Sequence, residues 1–184
     1  MPEPSGPPFV IVEFAQPDTP LAAFTLHLDG ATVDLISEPA LLVGEDLVHP
    51  SVVLIRGAPA SDLSALLKRL ATLWDLETIE RDDSRRSWMG RMRIKDSMLG
   101  HDPGAQVIMQ FQHLFGAPWM HIEQGTIHLR ARIVDPARAE LLADEMRRYF
   151  AQVGVEAQVE LREISAKDYG VWDELVQRAI GLSP

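Results

Sequence analysis

The stretch from Trp119 to Arg130 concentrates the side chains of this sequence that could bind a ligand. Two alternating apolar runs flank Gln124-Gly125, and a two-residue turn there predicts a β-hairpin. In that register His121 lies opposite His128, with Cβ atoms about 4.5–5.5 Å apart, and Trp119 lies opposite Arg130 within cation–π range. One face of the hairpin then carries the candidate ligand-binding side chains Trp119, His121, Glu123, His128 and Arg130.

This set of side chains fits more than one chemistry. Two histidines and a carboxylate suit a divalent metal, and two neighbouring imidazoles form a pH-sensitive patch because protonation of one disfavours protonation of the other. The simpler interpretation is a sheet face opposite the helices, either solvated or covered by a partner. We predict ligand or partner contacts here, and we assign no metal, no cofactor and no catalytic residue. A one-residue slip in the turn would separate the two histidines.

Trp88 is the sixth candidate for ligand binding. It alternates with Met92 and Ile94 along a predicted strand. This pattern favours the core, and an aromatic pocket is the alternative. The sequence has no glycine-rich phosphate loop and neither of the HExxH and GxSxG motifs. The absence of these motifs does not exclude an enzyme, but we expect a non-enzymatic protein.

The charge distribution argues against direct binding of nucleic acid. The chain of 184 residues has a net charge of −10, and residues 1–50 contain eight acidic residues and no Lys or Arg. Phosphate binding needs clustered positive charge, whereas an acidic surface serves solubility or a basic partner. The sequence contains no cysteine, no long apolar run and no signal-peptide pattern, which together predict a cytoplasmic protein.

The apolar periodicity predicts an α+β fold. We interpret residues 1–8 as a disordered leader and residues 9–50 as an N-terminal β segment. Within that segment, strands at Ala23–Leu28 and Thr32–Ile36 would flank Asp29-Gly30 and form an N-terminal β-hairpin extension.

The order of elements after Val52 is β-α-β-β-α-β, followed by β-α-β. The first six match the ferredoxin-like plan, and the last three repeat half of it. We therefore predict two ferredoxin-like (ACT-like) βαβ-containing halves, 51–125 and 126–184, that share a mostly antiparallel sheet. The predicted helices run from a Ser61 cap to Trp74, over 105–115, from Asp135 to Gly154, and from Ser165 to Ile180 at the C-terminus.

The segments Val52–Arg56, Leu76–Arg81, Trp88–Ile94, 105–115, Ile127–Ile133, 136–153 and Val159–Ile164 follow one another in a recognisable order. This succession resembles the region that precedes the helix-turn-helix in bacterioopsin-activator-type (Bat-type) transcriptional regulators. Residues 165–181 occupy the place where that family starts its DNA-binding unit, and the later glycine-aromatic and Pro-Arg signature is absent. The resemblance implies a regulatory role without a DNA-reading helix, and it transfers no ligand-binding residue.

These observations predict a regulatory or sensory module that binds a small ligand or a protein partner. One alternative is an α+β-barrel monooxygenase-like or haem-binding protein, in which His121 or His128 would be an axial ligand. Another is a protein-interaction adaptor. The amphipathic C-terminal helix and an exposed sheet face predict a homodimer.

Overall fold

The strands and helices in the described part of the chain build one nine-stranded sheet with helices packed against it. The computed structural model describes residues 8–16, 18–38, 40–95, 106–107, 110–111, 114 and 118–163. The elements within these ranges are β1 (Pro8–Ala15), α1 (Pro20–His27), β2 (Thr32–Ser37), β3 (Leu41–Val43), β4 (Asp46–Arg56), α2 (Ala60–Leu70), β5 (Asp75–Asp82), β6 (Ser87–Lys95), β7 (Trp119–Glu123), β8 (Thr126–Arg132), α3 (Ala139–Gln152) and β9 (Ala157–Glu163). The predicted α+β class and the mostly antiparallel sheet are therefore confirmed.

The strand order is β5-β6-β4-β2-β7-β8-β1-β9, and β3 pairs with β4 outside this path. Every pairing among the described strands is antiparallel. Two helical connections skip one strand each: α2 joins β4 to β5 across β6, and α3 joins β8 to β9 across β1.

The main core lies between one face of the sheet and the helices. Strand side chains alternate between two faces, and those on the helix side are almost completely buried, as Val12, Leu129 and Ile55 show. The opposing helix α3 contributes Leu142 and Met146, which are spaced one turn apart and are also buried. The other face of the sheet is left to carry polar groups.

The predicted helix between Asp135 and Gly154 is confirmed. The Asp135 side chain accepts a hydrogen bond from the Ala137 amide at 3.1 Å and caps a 3-10 turn that leads into α3. Gly154 ends the helix at φ +73°, a conformation that glycine adopts without strain. Helix α2 begins two residues earlier than predicted, since Pro59 rather than Ser61 precedes its first turn, and it is shorter than predicted because it ends at Leu70 rather than Trp74.

The predicted strand at Ala23–Leu28 is wrong, because residues 23–27 belong to helix α1 and Leu28 is its C-cap. The Thr19 hydroxyl accepts a hydrogen bond from the Ala22 amide at 3.3 Å, and Pro20 begins the helix. A threonine cap followed by proline is a helix start signal that outweighs a short apolar alternation. The predicted strand at Thr32–Ile36 is confirmed as β2.

The N-terminal segment does not form a hairpin extension at the border of the sheet, which corrects the prediction. Strand β1 lies between β8 and β9, and β2 lies between β4 and β7. The hairpin of this segment joins β3 to β4 instead, around Gly44-Glu45.

Several predicted elements lie wholly or partly outside the described residues. They are most of the 1–8 leader, the C-terminal helix Ser165–Ile180 and parts of the helix over 105–115. Within the last of these, Val107 and Phe111 are helical and buried. None of the helices in the described part of the chain combines the length and apolarity that a bilayer crossing requires.

Candidate functional site

The hairpin of β7 and β8 has the register that the sequence predicts. His121 pairs with His128 and Trp119 pairs with Arg130. The turn residues Gln124 and Gly125 have φ values of +48° and +75°, and two positive φ values are typical of the type I′ turn that joins strands most tightly. The guanidinium carbon of Arg130 lies 5.0 Å from the centre of a Trp119 ring, which confirms the predicted cation–π contact.

A buried carboxylate from the adjacent strand β2 fixes this hairpin face. Asp34 has 7% of its side chain exposed, and its Oδ2 accepts a hydrogen bond from Arg56 Nη2 at 2.8 Å. Its Oδ1 accepts a hydrogen bond from Trp119 Nε1 at 3.1 Å and lies 2.8 Å from His121 Nδ1. Because a carboxylate only accepts hydrogen bonds, Nδ1 is the protonated nitrogen of His121 in this pair.

Each histidine of the hairpin also lies near a carboxylate other than Asp34. His121 Nε2 lies 3.7 Å from Glu123 Oε2, and His128 Nδ1 lies 3.0 Å from Glu13 Oε2 on strand β1. The two imidazole rings are 6.1 Å apart between centroids. Their side chains are 27% and 30% exposed, so both rings remain accessible to solutes. We call the residues Glu13, Asp34, Arg56, Trp119, His121, Glu123, His128 and Arg130 the sheet-face cluster.

The electrostatics of the Asp34–His121 pair favour its charged form. Burial by itself would raise the pKa of Asp34, but the hydrogen bond and charge of His121, with Arg56 and Trp119, outweigh burial and lower that pKa. The hydrogen bond to Asp34 raises the pKa of His121 against the opposing effect of burial, and the charges of Asp34 and Glu123 raise it further. The pair is therefore an ion pair over a wider pH range than free side chains would allow.

The sheet-face cluster spans three neighbouring rows of the sheet. Arg56 and Glu123 lie in an outer row, as the cross-strand partners of Thr32 in β4 and β7. Cross-strand partners Asp34, His121, His128 and Glu13 form one row over β2, β7, β8 and β1. The next row places Arg91, Val52, Ile36, Trp119 and Arg130 side by side over β6, β4, β2, β7 and β8. Val52 and Ile36 form a small apolar cluster with Met89 and Trp119. An apolar strip thus lies directly beside the charged row.

The structure separates Trp88 from the other candidate residues. Its side chain lies on the helix side of the sheet, is 1% exposed and donates a hydrogen bond from Nε1 to Thr78 Oγ1 at 3.1 Å. A Cβ at Gly90 would lie 2.3 Å from the Trp88 ring, so glycine is required there for the ring to pack over the strand. Trp88 is a core residue and lines no part of the sheet-face cluster.

Five of the eight cluster residues were predicted from the sequence to share one face. The other three, Glu13, Asp34 and Arg56, were not predicted. Asp34 interrupts the apolar run Val33-Asp-Leu-Ile36, and Glu13 interrupts Val10-Ile-Val-Glu-Phe14. A single carboxylate inside a strand of apolar residues was the available signal, since an unpaired charge is costly to bury.

The described residues give the metal interpretation no support. No group of three His, Asp or Glu side chains among them is arranged to hold a metal ion. The carboxylates of the cluster instead pair with Arg56, His121 and His128.

No protein-family model and no curated protein matches this chain.

Proposed function

We propose that this chain is a non-enzymatic regulatory or sensory module, and that the sheet-face cluster is its binding surface for a small ligand or a protein partner. The observation that carries this proposal is the position of Asp34. Its buried carboxylate binds donors from two neighbouring strands, Arg56 of β4 and Trp119 and His121 of β7. Such an arrangement holds a partly exposed imidazole and indole in fixed orientations, which lowers the entropic cost of binding.

The net charge of the sheet-face cluster depends on the protonation of its histidines. Three carboxylates face two arginines, so the cluster carries one net negative charge with both histidines neutral. Protonation of His121, whose pKa is raised, removes this net charge from the surface that a ligand meets. The adjoining indole of Trp119 offers an aromatic contact to the same ligand.

The proposed regulatory role is supported by the resemblance to the region before the helix-turn-helix of Bat-type regulators. The segment 165–181, where that family begins its DNA-binding unit, lies outside the described residues. We retain the expectation that the chain does not bind nucleic acid directly and forms a homodimer. Static light scattering that shows a monomer at micromolar concentration would contradict the dimer.

We also propose that the sheet consists of two ferredoxin-like halves, grouped differently from the sequence-based division. The first would be β2-β4-β6-β5 with the α2 crossover, and the second β7-β8-β1-β9 with the α3 crossover. Each group of four strands contains one helical crossover that skips a single strand, which supports the division. The halves would meet where β2 pairs with β7, directly beneath Asp34 and His121.

A thermal-shift screen with metals, nucleotides, amino acids and aromatic acids tests the proposed binding surface. A ligand that binds only the folded state raises the midpoint by mass action. We expect one class to raise the midpoint of the wild-type protein and to lose this effect in His128→Gln. His27→Gln, a change of an exposed histidine on α1, is the matched control and should keep the effect. A shift that survives His128→Gln would contradict the proposed surface, and no shift with any class would favour the adaptor alternative.

The haem-binding alternative has one observation in its favour. The carboxylate of Asp34 holds His121 by Nδ1, as outer carboxylates do for imidazoles that bind metal through Nε2. An absorbance spectrum of the freshly purified protein distinguishes the two proposals. A Soret band would support haem binding, and a colourless protein would contradict it.

A further inference from the structure

A short hairpin at the far end of β4 exposes apolar side chains on both of its faces. Leu41 and Val43 on one face are 55% and 59% exposed, and Leu42 and Leu47 on the other are 73% and 41% exposed. We call residues Leu41–Leu47 the β3 hairpin. Contiguous exposed apolar residues at one place mark an interaction surface far more often than scattered ones do.

Strand β3 also has an edge that no described strand occupies. It pairs only with β4, in the register Leu41–Val48, Leu42–Leu47 and Val43–Asp46. Gly44 at φ +64° starts a two-residue turn, so Val43 and Asp46 form the hydrogen-bonded closing pair and Leu42 belongs to the next, non-hydrogen-bonded pair. The amide and carbonyl of Leu42 therefore point away from β4, where another strand could pair with them.

The charges around the β3 hairpin select the kind of strand that fits. Glu38, Glu45 and Asp46 lie in or next to the hairpin, and residues 1–50 contain no Lys or Arg. Lys95 at the end of the neighbouring strand β6 is already paired with Asp46, with Nζ 2.5 Å from Oδ2. A second copy of this chain would bring the same acidic residues together, so repulsion disfavours self-pairing at this edge.

We propose that β3 binds an extended segment of a partner protein as an added strand, and that this segment combines apolar residues with flanking Lys or Arg. Main-chain hydrogen bonds to Leu42 would provide alignment, while the leucines and Val43 cover the apolar side chains of the segment. The basic flanks would pair with Glu38 and Glu45. This edge is separate from the sheet-face cluster, so the proposal goes beyond the function proposed above.

Selection of short random peptides on the full-length chain tests the proposal directly. We expect the recovered peptides to alternate apolar residues between basic flanks and to bind Leu42→Lys at least about tenfold more weakly than wild type. Leu141→Lys is the matched control, since Leu141 is 49% exposed on α3, and it should keep wild-type affinity. Both leucines are exposed, so neither change should unfold the protein. Thermal midpoints of the two variants equal to that of the wild type would show that each remains folded.

A second measurement separates strand addition from simple apolar contact. Methylation of alternate backbone amides in a recovered peptide removes its main-chain donors, and we expect it to abolish binding. The proposal is overturned if the methylated peptide binds normally, if Leu42→Lys binds as wild type does, or if the recovered peptides are acidic. It is equally overturned if no peptide is recovered, or if sedimentation shows a wild-type dimer that Leu42→Lys converts to a monomer.

Discussion

Asp34 accepts hydrogen bonds from three side chains, so its replacement disturbs three contacts at once. Hydrogen bonds that involve charged groups contribute more to stability than neutral ones, and a buried partner left alone is costly. The residue lies in the same row of the sheet as the two histidines, which places a structural role and the proposed binding role in the same side chain.

We predict that Asp34→Asn lowers the free energy of unfolding by about 2 kcal/mol. The amide keeps the shape of the carboxylate but loses the charge that holds Arg56 and His121. Urea denaturation measures this loss. Glu123→Gln, at the far side of His121 and 52% exposed, should cost under about 0.5 kcal/mol. Equal effects of the two substitutions would contradict the central position of Asp34.

The raised pKa of His121 predicts a pH dependence of stability with a defined sign. Because folding raises this pKa above its ordinary value of 6.5, the ion pair contributes fully below that value and is lost as the pH rises through the pKa of the folded state. The lowered pKa of Asp34 sets the acid limit, since its contribution is present above the ordinary value of 3.8 and is lost as the pH falls through the pKa of the folded state.

We therefore expect the free energy of unfolding to decrease as the pH rises from the ordinary histidine value of 6.5 through the raised pKa of His121 in the folded state. His121→Gln should flatten this slope, whereas His27→Gln on α1 should leave it unchanged. Denaturant titrations at several pH values provide the measurement. A slope of the wild-type sign and size in His121→Gln would show that another group causes it.

Contacts between residues close together in the sequence, those within the β7–β8 hairpin, could be predicted from the sequence. The contacts of Trp119 with Arg130 and of His121 with His128 follow from one turn and a period of two. Asp34 and Glu13 reach the same histidines through pairings of β2 with β7 and of β1 with β8. Those registers join strands far apart in the chain, and no local pattern encodes them, so these residues could not be placed from the sequence.

At the scale of single elements, the turn after β4 is the most constrained connection. Gly57 has φ +80°, and a Cβ there would lie 1.9 Å from the Gly30 carbonyl oxygen. The backbone between β4 and α2 thus packs directly on the turn between α1 and β2. Two connections that are distant in sequence hold each other in place.

We predict that Gly57→Ala lowers the free energy of unfolding by about 2 kcal/mol or more, through backbone strain and this clash. Gly154→Ala is the matched control, because Gly154 has φ +73° with no neighbouring atom within 4 Å of an added Cβ. That change should cost only about 1 kcal/mol, the penalty of the left-handed conformation. Chemical denaturation compares the two, and a cost at Gly57 no larger than at Gly154 would contradict the close contact.

Elements whose start or turn residues agree with their apolar pattern were predicted correctly. The strand predicted at residues 23–28 was wrong, and there the two kinds of sequence signal conflict. Helix α3 has both a capped start and a glycine end, and the β7–β8 hairpin has both alternation and a suitable turn. Residues 23–28 alternate like a strand, but Thr19 and Pro20 begin a helix before them. The Asp29-Gly30 pair after them suggested a hairpin turn, although it also suits the end of a short helix.

At the scale of the whole molecule, the predicted class and sheet type were correct, but the strand order could not be read from the sequence. Strand β2 lies between β4 and β7, and β1 lies between β8 and β9. Both placements depend on long-range pairings whose alternatives bury similar apolar faces. The edges differ in chemistry as well, since β5 is mostly charged whereas β3 is apolar.

The interior position of β1 has a consequence for how the chain folds. Residues 8–15 leave the ribosome before all the other described residues, yet their pairing partners are residues 126–132 and 157–163. Strand β1 therefore has neither of its neighbouring strands, and its apolar side chains stay unburied, until the last described strands have been synthesised. Contacts between such distant segments slow folding to milliseconds or longer, at roughly the rates of other non-local sheets.

Pulsed hydrogen exchange during refolding should show the amides of β1 becoming protected together with those of β9, later than those of α2 and the β5–β6 hairpin. Protection of β1 in the earliest phase would contradict this order. Before its neighbouring strands have been synthesised, β1 is prone to aggregate, because it is an apolar strand whose edges have no partner.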